Sequence, residues 1–320
     1  MNRTHVFPER GNESTNTSRG EIPRWRKATA GMRTYDRCLR RRAALRSMIS
    51  PAHGEATGEV VHDASQRIPE IRLQTSHEHG GGSRRAFRNA LRGELPPRYA
   101  RRFRAQFDAC VRPALRADVR ILDVGAGRRP TIPISDRPPG THYFALDPAG
   151  AELELAPEGA YDEAVVADVA EHLPALDERF DLIVSWNVLE HVPSLEAALA
   201  NLRSYLRPGG VLVAQFAGSL AAHALISRVI PHALGARAME RLLGRPRDSV
   251  FDAHYDDCRY SALDRLLAPF STHAITPLYR DASYFRFSRL ALAVYLGFEE
   301  WALRRQHRDL ASHYMICAAR

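Results

Sequence analysis

Residues Val119–Gly127 read Val-Arg-Ile-Leu-Asp-Val-Gly-Ala-Gly, and the meaning of this stretch decides the fold. Val119 to Val124 form a short apolar run that ends in a turn with two glycines. A buried strand feeding such a turn is a mark of α/β folds that hold nucleotide-like ligands there. Gly-x-Gly recurs often by chance, so the discriminating residue is Asp123, two positions before Gly125. A carboxylate at this turn repels a pyrophosphate and attracts a ligand that carries an ammonium group. The dinucleotide pattern Gly-x-Gly-x-x-Gly also requires a glycine at position 130, which is Pro130.

The chain after this turn repeats the strand-and-spacer rhythm. Arg128 to Thr141 contains Pro130, Pro133, Pro138 and Pro139, which leaves room for one or two helical turns at most. His142 to Leu146 reads as a second strand ending at Asp147-Pro148. Asp147 follows Gly127 at the spacing where an acid accepts hydrogen bonds from ribose hydroxyls. Tyr161 to Ala167 is a third strand ending at Asp168. Phe180 to Ser185 is a fourth, almost wholly apolar as a buried parallel strand should be. Ser194 is placed to cap a helix whose Leu195, Ala198, Leu199, Leu202 and Leu206 share one face. Pro208-Gly209-Gly210 then turns into a fifth strand, Val211 to Phe216. Strands alternating with such spacers imply right-handed crossovers, a parallel sheet and ligands beyond the carboxyl ends of the strands. Asp123–Gly127, Asp147, Asp168 and Ser185–Asn187 all fall at those ends.

Upstream, the composition changes. The chain carries a net charge of +8, but residues 1–105 hold 22 Lys and Arg against 10 Asp and Glu, so the basicity sits in the N-terminal third. Lys27 is the sole lysine, a bias that a GC-rich genome explains. Residues 1–85 have little apolar periodicity and end near Gly80-Gly81-Gly82-Ser83, which reads as a disordered basic extension. Arg37 to Ile49 is a local exception that fits a short basic helix, either a polyanion-binding arm or a solvated tail. Met32 and Met48 offer later translation starts. From Pro97 onward, Tyr99, Phe103, Phe107 and Val111 recur every four residues, the pattern of an amphipathic helix. Cys38, Cys110, Cys258 and Cys317 lie far apart, which points to neither a zinc site nor a disulfide framework. With no apolar run of roughly 18 residues and no apolar N-terminal leader, a cytoplasmic location is expected.

Residues 119 to 216 resemble the core of class I S-adenosylmethionine-dependent methyltransferases. The resemblance is carried by Leu122-Asp123-Val124-Gly125-Ala126-Gly127, Ala145-Leu146-Asp147, Ala167-Asp168-Val169, Phe180-Asp181-Leu182-Ile183-Val184, Asn187-Val188-Leu189-Glu190-His191-Val192 and Leu206-Arg207-Pro208-Gly209-Gly210. It implies a Rossmann-like, doubly wound, seven-stranded α/β sheet, mostly parallel. An antiparallel last strand, Ser312 to Ala318, would stand at its end. The cofactor implied is S-adenosyl-L-methionine. The backbone of Gly125, Ala126 and Gly127 would approach its methionine part, with Asp123 drawn to the ammonium directly or through water. Asp147 would bind the ribose hydroxyls, Asp168 with the backbone of Val169 the adenine edge, and Asn187 the methionine and methyl side. The branch most resembled methylates small molecules, including quinones and other lipids. Arg129 stands where a third glycine is sometimes found. Arg128 or Arg129 would either reach the cofactor carboxylate or lie in solvent.

Catalytic candidates follow from position. His191, one helical turn beyond the fourth strand, can face the acceptor as a general base or help to shape the cofactor pocket. Asp181, at the beginning of its strand, is far from the ligand edge and reads as structural. Phe251 to Tyr260 is dense in polar and aromatic residues. It lies between a helical insertion, Leu220 to Leu243, and a helix carrying Leu263, Leu266 and Leu267. It reads either as a lid bringing His254, Tyr255 or Tyr260 near the methyl group or as a surface loop, and no metal-ligand spacing is evident. The domain expected is 86–320, with 217–265 as a substrate-side insertion or lid. Within Tyr284 to Arg308, apolar residues go almost all round a helix from Leu290 to Phe298, so it suits a core or dimer helix, or peripheral membrane contact through 284–305. The function expected is methyl transfer to a small-molecule or lipid-linked acceptor. The alternatives are an RNA-directed enzyme or RNA-binding protein using the basic arm, and an inactive cofactor-binding domain.

Overall fold

The structure is a computed structural model that describes residues 82–100, 103–221, 255 and 257–320. Residues 1–81 of the expected disordered extension, all but the start of the insertion after Leu220, and His254 lie outside the described residues, whereas 82–85, expected within that extension, begin a helix. Seven strands form one sheet: β1 (Arg120–Val124), β2 (His142–Asp147), β3 (Glu163–Val166), β4 (Phe180–Trp186), β5 (Leu206–Ala217), β6 (Thr272–Leu278) and β7 (His313–Ala319). Their order is β3-β2-β1-β4-β5-β7-β6. All pairings among β1 to β5 are parallel, whereas β7 runs antiparallel to both β5 and β6. The order reverses at β1, which opens a crevice above the ends of β1 and β4.

The antiparallel strand is one place in from the edge rather than at it. Pro277 explains the arrangement, because it lies in β6 opposite Tyr314 and a proline without an N–H is tolerated on an edge strand. A second difference concerns Leu206, which begins β5 instead of closing the preceding helix. The Pro-Gly-Gly turn is a bulge inside β5, where the register with β4 slips between Phe180 and Leu182. Glycine is required here, since a Cβ on Gly210 would lie 2.9 Å from the Phe180 carbonyl oxygen.

Both faces of the sheet are covered. Leu122, Val124, Ile183, Leu212, Ala214 and Phe216 pack beneath α4 (Leu195–Tyr205) and α5 (Tyr260–Leu267). The Ser194 side chain accepts from the Ala197 N–H and caps α4 as its sequence requires. On the opposite face Ile121, Leu182, Val184, Val213 and Met315 pack against Phe107, Cys110 and Val111 of α2 (Phe103–Val111). The helix expected from Pro97 is interrupted: Pro97–Ala100 is a single 3₁₀ turn, and the aromatic stripe divides. Phe103 and Phe107 stay on the sheet, while Tyr99 turns to α6 (Arg289–Arg304). Its hydroxyl donates to Glu299 and accepts from the Ala282 N–H at 3.0 Å. Arg98 bonds Glu299, Glu300 and the Tyr279 carbonyl and holds the break. Ahead of it, α1 (Gly82–Leu91) packs on α6, with Ala90 among Leu292, Ala293 and Leu296. Between β1 and β2 there is only the 3₁₀ turn Ile134–Asp136, as the prolines demand, and α3 (Gly150–Glu154) follows β2.

Candidate cofactor and acceptor site

The glycine loop is shaped by two different requirements. Gly125 has φ +69, and a Cβ there would sit 2.1 Å from a Val188 methyl carbon, so the loop after β1 lies directly on the loop after β4. Gly127 has φ +49 and open space on its Cβ side, with Asp147 Oδ2 nearest at 3.9 Å. The Tyr161 hydroxyl lies 3.0 Å from both the Ala126 and the Gly127 carbonyl oxygens and fastens the loop from β3's side. Arg128 grips Glu152 of α3 through two hydrogen bonds of 2.6 Å at the surface, and Arg129 is exposed.

Asp123 departs from its expected role. Its carboxylate is 0% exposed. Oδ2 accepts from the Thr131 N–H at 2.6 Å and the Tyr143 hydroxyl at 2.8 Å, and Oδ1 from the Thr131 hydroxyl at 2.7 Å. The reason is alternation: Leu122 and Val124 face α4, so the residue between them faces the other side of the sheet. There it lies beneath the Thr131–Ile132 segment instead of beyond the strand end. Tyr143 in turn accepts from the Ile132 N–H at 2.9 Å, and Arg137 stacks on its ring at 3.6 Å. Burial pushes the Asp123 carboxyl up to about 6, against the pull of its three hydrogen bonds. The acid that first drew attention to an ammonium ligand is therefore the fastener of the loop.

Asp147 ends β2, and loop backbone holds its carboxylate. Oδ1 accepts from the Ala149 N–H at 2.8 Å and Oδ2 from the Gly127 N–H at 3.0 Å. Each carboxylate oxygen has a further lone pair, the number needed for two vicinal hydroxyls. Burial raises its carboxyl above the usual range, opposed by these two backbone donors. Beyond β3, Asp168 Oδ1 accepts from the Ala170 N–H at 2.8 Å, and the buried Val169 carbonyl accepts from Asn201 at 2.9 Å. Asn187 stands exposed just past β4 with φ +56, a left-handed conformation that asparagine tolerates better than most residues. Its N–H donates to the Gln215 carbonyl at 2.7 Å. Asp123 apart, the acids and loops named from sequence stand at or just beyond the ends of the parallel strands β1 to β4. Their donors and acceptors fit an adenosine with an amino-acid tail.

The other half of the ligand edge is built from distant segments. His191 ends the 3₁₀ turn Leu189–His191 and is half-buried. Tyr255 is brought to the same turn: its N–H donates to the Glu190 carbonyl at 3.1 Å, and its ring is buried with Ala217 and Ala221. Burial, then the nearby Glu190, drives its hydroxyl far above the usual tyrosine range. Two residues at this edge escaped the sequence reading. Gln215 of β5 is 1% exposed, stands between Trp186 and Met315 across the sheet, and its amide makes no hydrogen bond among the described residues. His313 begins β7, is buried, and its ring lies 4.8 Å from that of Phe103. A lone polar residue in the apolar run Val211–Ala217 was the available signal for Gln215. His313 begins the antiparallel strand expected from Ser312 to Ala318, but no local pattern singles it out.

Comparison with known proteins agrees with this geometry. A family model of the methyltransferase domain matches residues 91–263, more than half of the chain. No curated protein matches. Among solved structures, phosphoethanolamine N-methyltransferase 2 of Haemonchus contortus in complex with S-adenosyl-L-methionine is 14% identical. It aligns over 68% of this chain and 52% of its own, with a TM-score of 0.42; the chain thus spans about half that enzyme's length. A SAM-dependent methyltransferase from Archaeoglobus fulgidus is 17% identical over 73% of this chain and 98% of its own, with a TM-score of 0.42. An S-adenosylmethionine-dependent methyltransferase from Mesorhizobium loti is 16% identical over 67% and 98%, with a TM-score of 0.40. The family match carries the assignment: this chain belongs to the S-adenosylmethionine-dependent methyltransferases of the Rossmann-like class.

Proposed function

We propose that the enzyme methylates a small-molecule or lipid-linked acceptor held over the ends of β4 and β5. The observation that carries this reading is the closure of Tyr255 on the Glu190 turn, with its ring buried against the end of β5. An apolar contact of this kind suits a compact acceptor, where a polymer would need an open basic track. Residues 86–320 form the catalytic domain in this reading, with 217–265 as the acceptor-side insertion.

S-adenosylmethionine supplies a methyl group already activated by its sulfonium, so the chain's work is alignment and exclusion of water. Asp147 holds the ribose hydroxyls, and Asp168 with the Val169 backbone reads the adenine edge. The Gly125–Gly127 backbone and Asn187 bound the methionine part. Tyr255, held protonated by its surroundings, donates a hydrogen bond to the acceptor and takes no proton from it. His191 takes the proton where the acceptor atom is a hydroxyl oxygen; His254 is a further candidate from sequence alone. Gln215 offers the acceptor a donor and an acceptor together. A buried amide left unpaired costs about 1–3 kcal/mol, a cost that a ligand completing its hydrogen bonds removes.

Among the described residues no helix is long and apolar enough to cross a membrane; we place the enzyme in the cytoplasm, at times against a membrane. The test is incubation with methyl-labelled S-adenosylmethionine and separate small-molecule, lipid and RNA fractions. Label is expected in the small-molecule or lipid fraction. Label confined to RNA, and lost on removal of residues 1–81, would replace this reading with the RNA-directed one.

A further inference from the structure

The last helix presents a face that methyl transfer does not use. In α6 the buried side carries Leu292, Leu296 and Glu299, whereas Leu290 and Val294 on the opposite side are 64% and 60% exposed. Trp301 continues that stripe at 45%, and Phe287, just before the helix, is 70% exposed. Positions 290, 294 and 301 fall on one face of the helix and span about 16 Å at 1.5 Å per residue, with Phe287 just ahead of them. Beside the stripe, Phe285, Leu290, Val294 and Phe298 line an apolar groove of about 480 Å³. The segment is therefore neither wholly core nor wholly surface.

The charges around the stripe select its partner. Its exposed fringe carries Arg286, Arg289, Arg304 and Arg305. The two acids of the helix, Glu299 and Glu300, are buried and engaged by Arg98, with Arg304 also reaching Glu300 at 3.7 Å. A second copy of the same face would bring arginines against arginines with no exposed acid on either helix to answer them. A surface that is apolar within and anionic at its headgroups satisfies both features. Position adds a third argument. β6 ends at the ligand edge, and Tyr279 to Ser288 lead from there straight into this face, with the Tyr295 hydroxyl 3.2 Å from the Leu220 carbonyl just beyond β5.

We propose that the Phe287–Trp301 face docks the enzyme on anionic membrane surfaces and sets its acceptor side toward the lipid. The use of this surface rests on the lipid-linked acceptor proposed above, but its existence does not. Vesicle binding is measured without acceptor or cofactor, so either idea can fail alone. The test is co-sedimentation of the full chain with vesicles of 3:1 phosphatidylcholine and phosphatidylglycerol, and with phosphatidylcholine alone. The chain is expected to sediment with the anionic vesicles at least tenfold more tightly, and Leu290→Asp with Val294→Asp should abolish it. Replacing Arg286, Arg289 and Arg305 by Gln should weaken binding by about a hundredfold, from the contribution of each basic residue near a charged surface, while circular dichroism stays unchanged. Binding unaffected by the Leu290 and Val294 changes would assign it to the basic N-terminal arm and overturn the proposal. So would no binding, or a dimer that these same changes dissociate.

Discussion

Asp123 in β1 and Gln215 in β5 lie on the same face of one sheet, 0% and 1% exposed, yet their surroundings are opposite. Asp123 has three donors on its two oxygens, and Gln215 has no side-chain hydrogen bond among the described residues. Burying a polar group is tolerated when its partners are inside the protein and expensive when they are not. In the reading proposed above, the first residue belongs to the scaffold and the second to the ligand. The contrast extends to the two halves of the ligand edge. On the β1–β2–β3 side the polar groups are locked to loop backbone; on the β4–β5 side the Gln215 amide has no such partner among the described residues.

The largest expected effect is on Asp123. Asp123→Ala leaves the Thr131 N–H and the Tyr143 hydroxyl buried without their acceptor, and should lower unfolding free energy by about 4 kcal/mol in denaturant titration. A loss under 1 kcal/mol would show that the loop is not fastened there. The same carboxyl gives a pH signature. Its folded value of about 6 stands above the ordinary 3.8, so its favourable contribution is complete below pH 3.8 and lost as pH rises through 6. The difference between wild type and Asp123→Asn should therefore shift by about 3 kcal/mol across that window. A difference that is flat with pH would contradict the assignment.

Gly125→Ala is expected to cost about 3 kcal/mol, from the positive φ and from a Cβ placed on Val188. Adding Val188→Ala should recover about 1 kcal/mol of it; no recovery would mean that the contact is not what excludes a side chain. The smallest effect has the opposite sign. Gln215→Leu should raise stability by about 1 kcal/mol while slowing turnover of the labelled acceptor and leaving cofactor affinity unchanged. If turnover is unaffected, the amide does not read the acceptor and the contrast with Asp123 collapses.

The sheet was legible because strands buried on both faces are apolar runs with Gly, Pro or Asp at their ends, and that signal is local. For the same reason Asp123 was misread. A strand buried on both sides shows no alternation, so its sequence does not say which face a residue takes. The Pro-Gly-Gly turn hid a bulge for a related reason: its residues mark a change of direction but not whether pairing resumes on the same strand. The helix expected at Pro97 was broken by Arg98 and Tyr99 finding partners in α6, some 200 residues away. The acceptor half depended on such long-range meetings throughout. The aromatic neighbourhood of Tyr255 marks it in the sequence, whereas His313 meets Phe103 only through the fold.

Calorimetric titration of S-adenosylmethionine into wild-type enzyme and Asp147→Ala bears most directly on the central claim, that the ends of β1, β2 and β3 form the cofactor site. Asp147 offers charged acceptors to two hydroxyls, so its loss should weaken binding by about 10- to 150-fold while Gln215→Leu binds as wild type. Equal affinity in Asp147→Ala and wild type, or no binding by the intact protein, would contradict it.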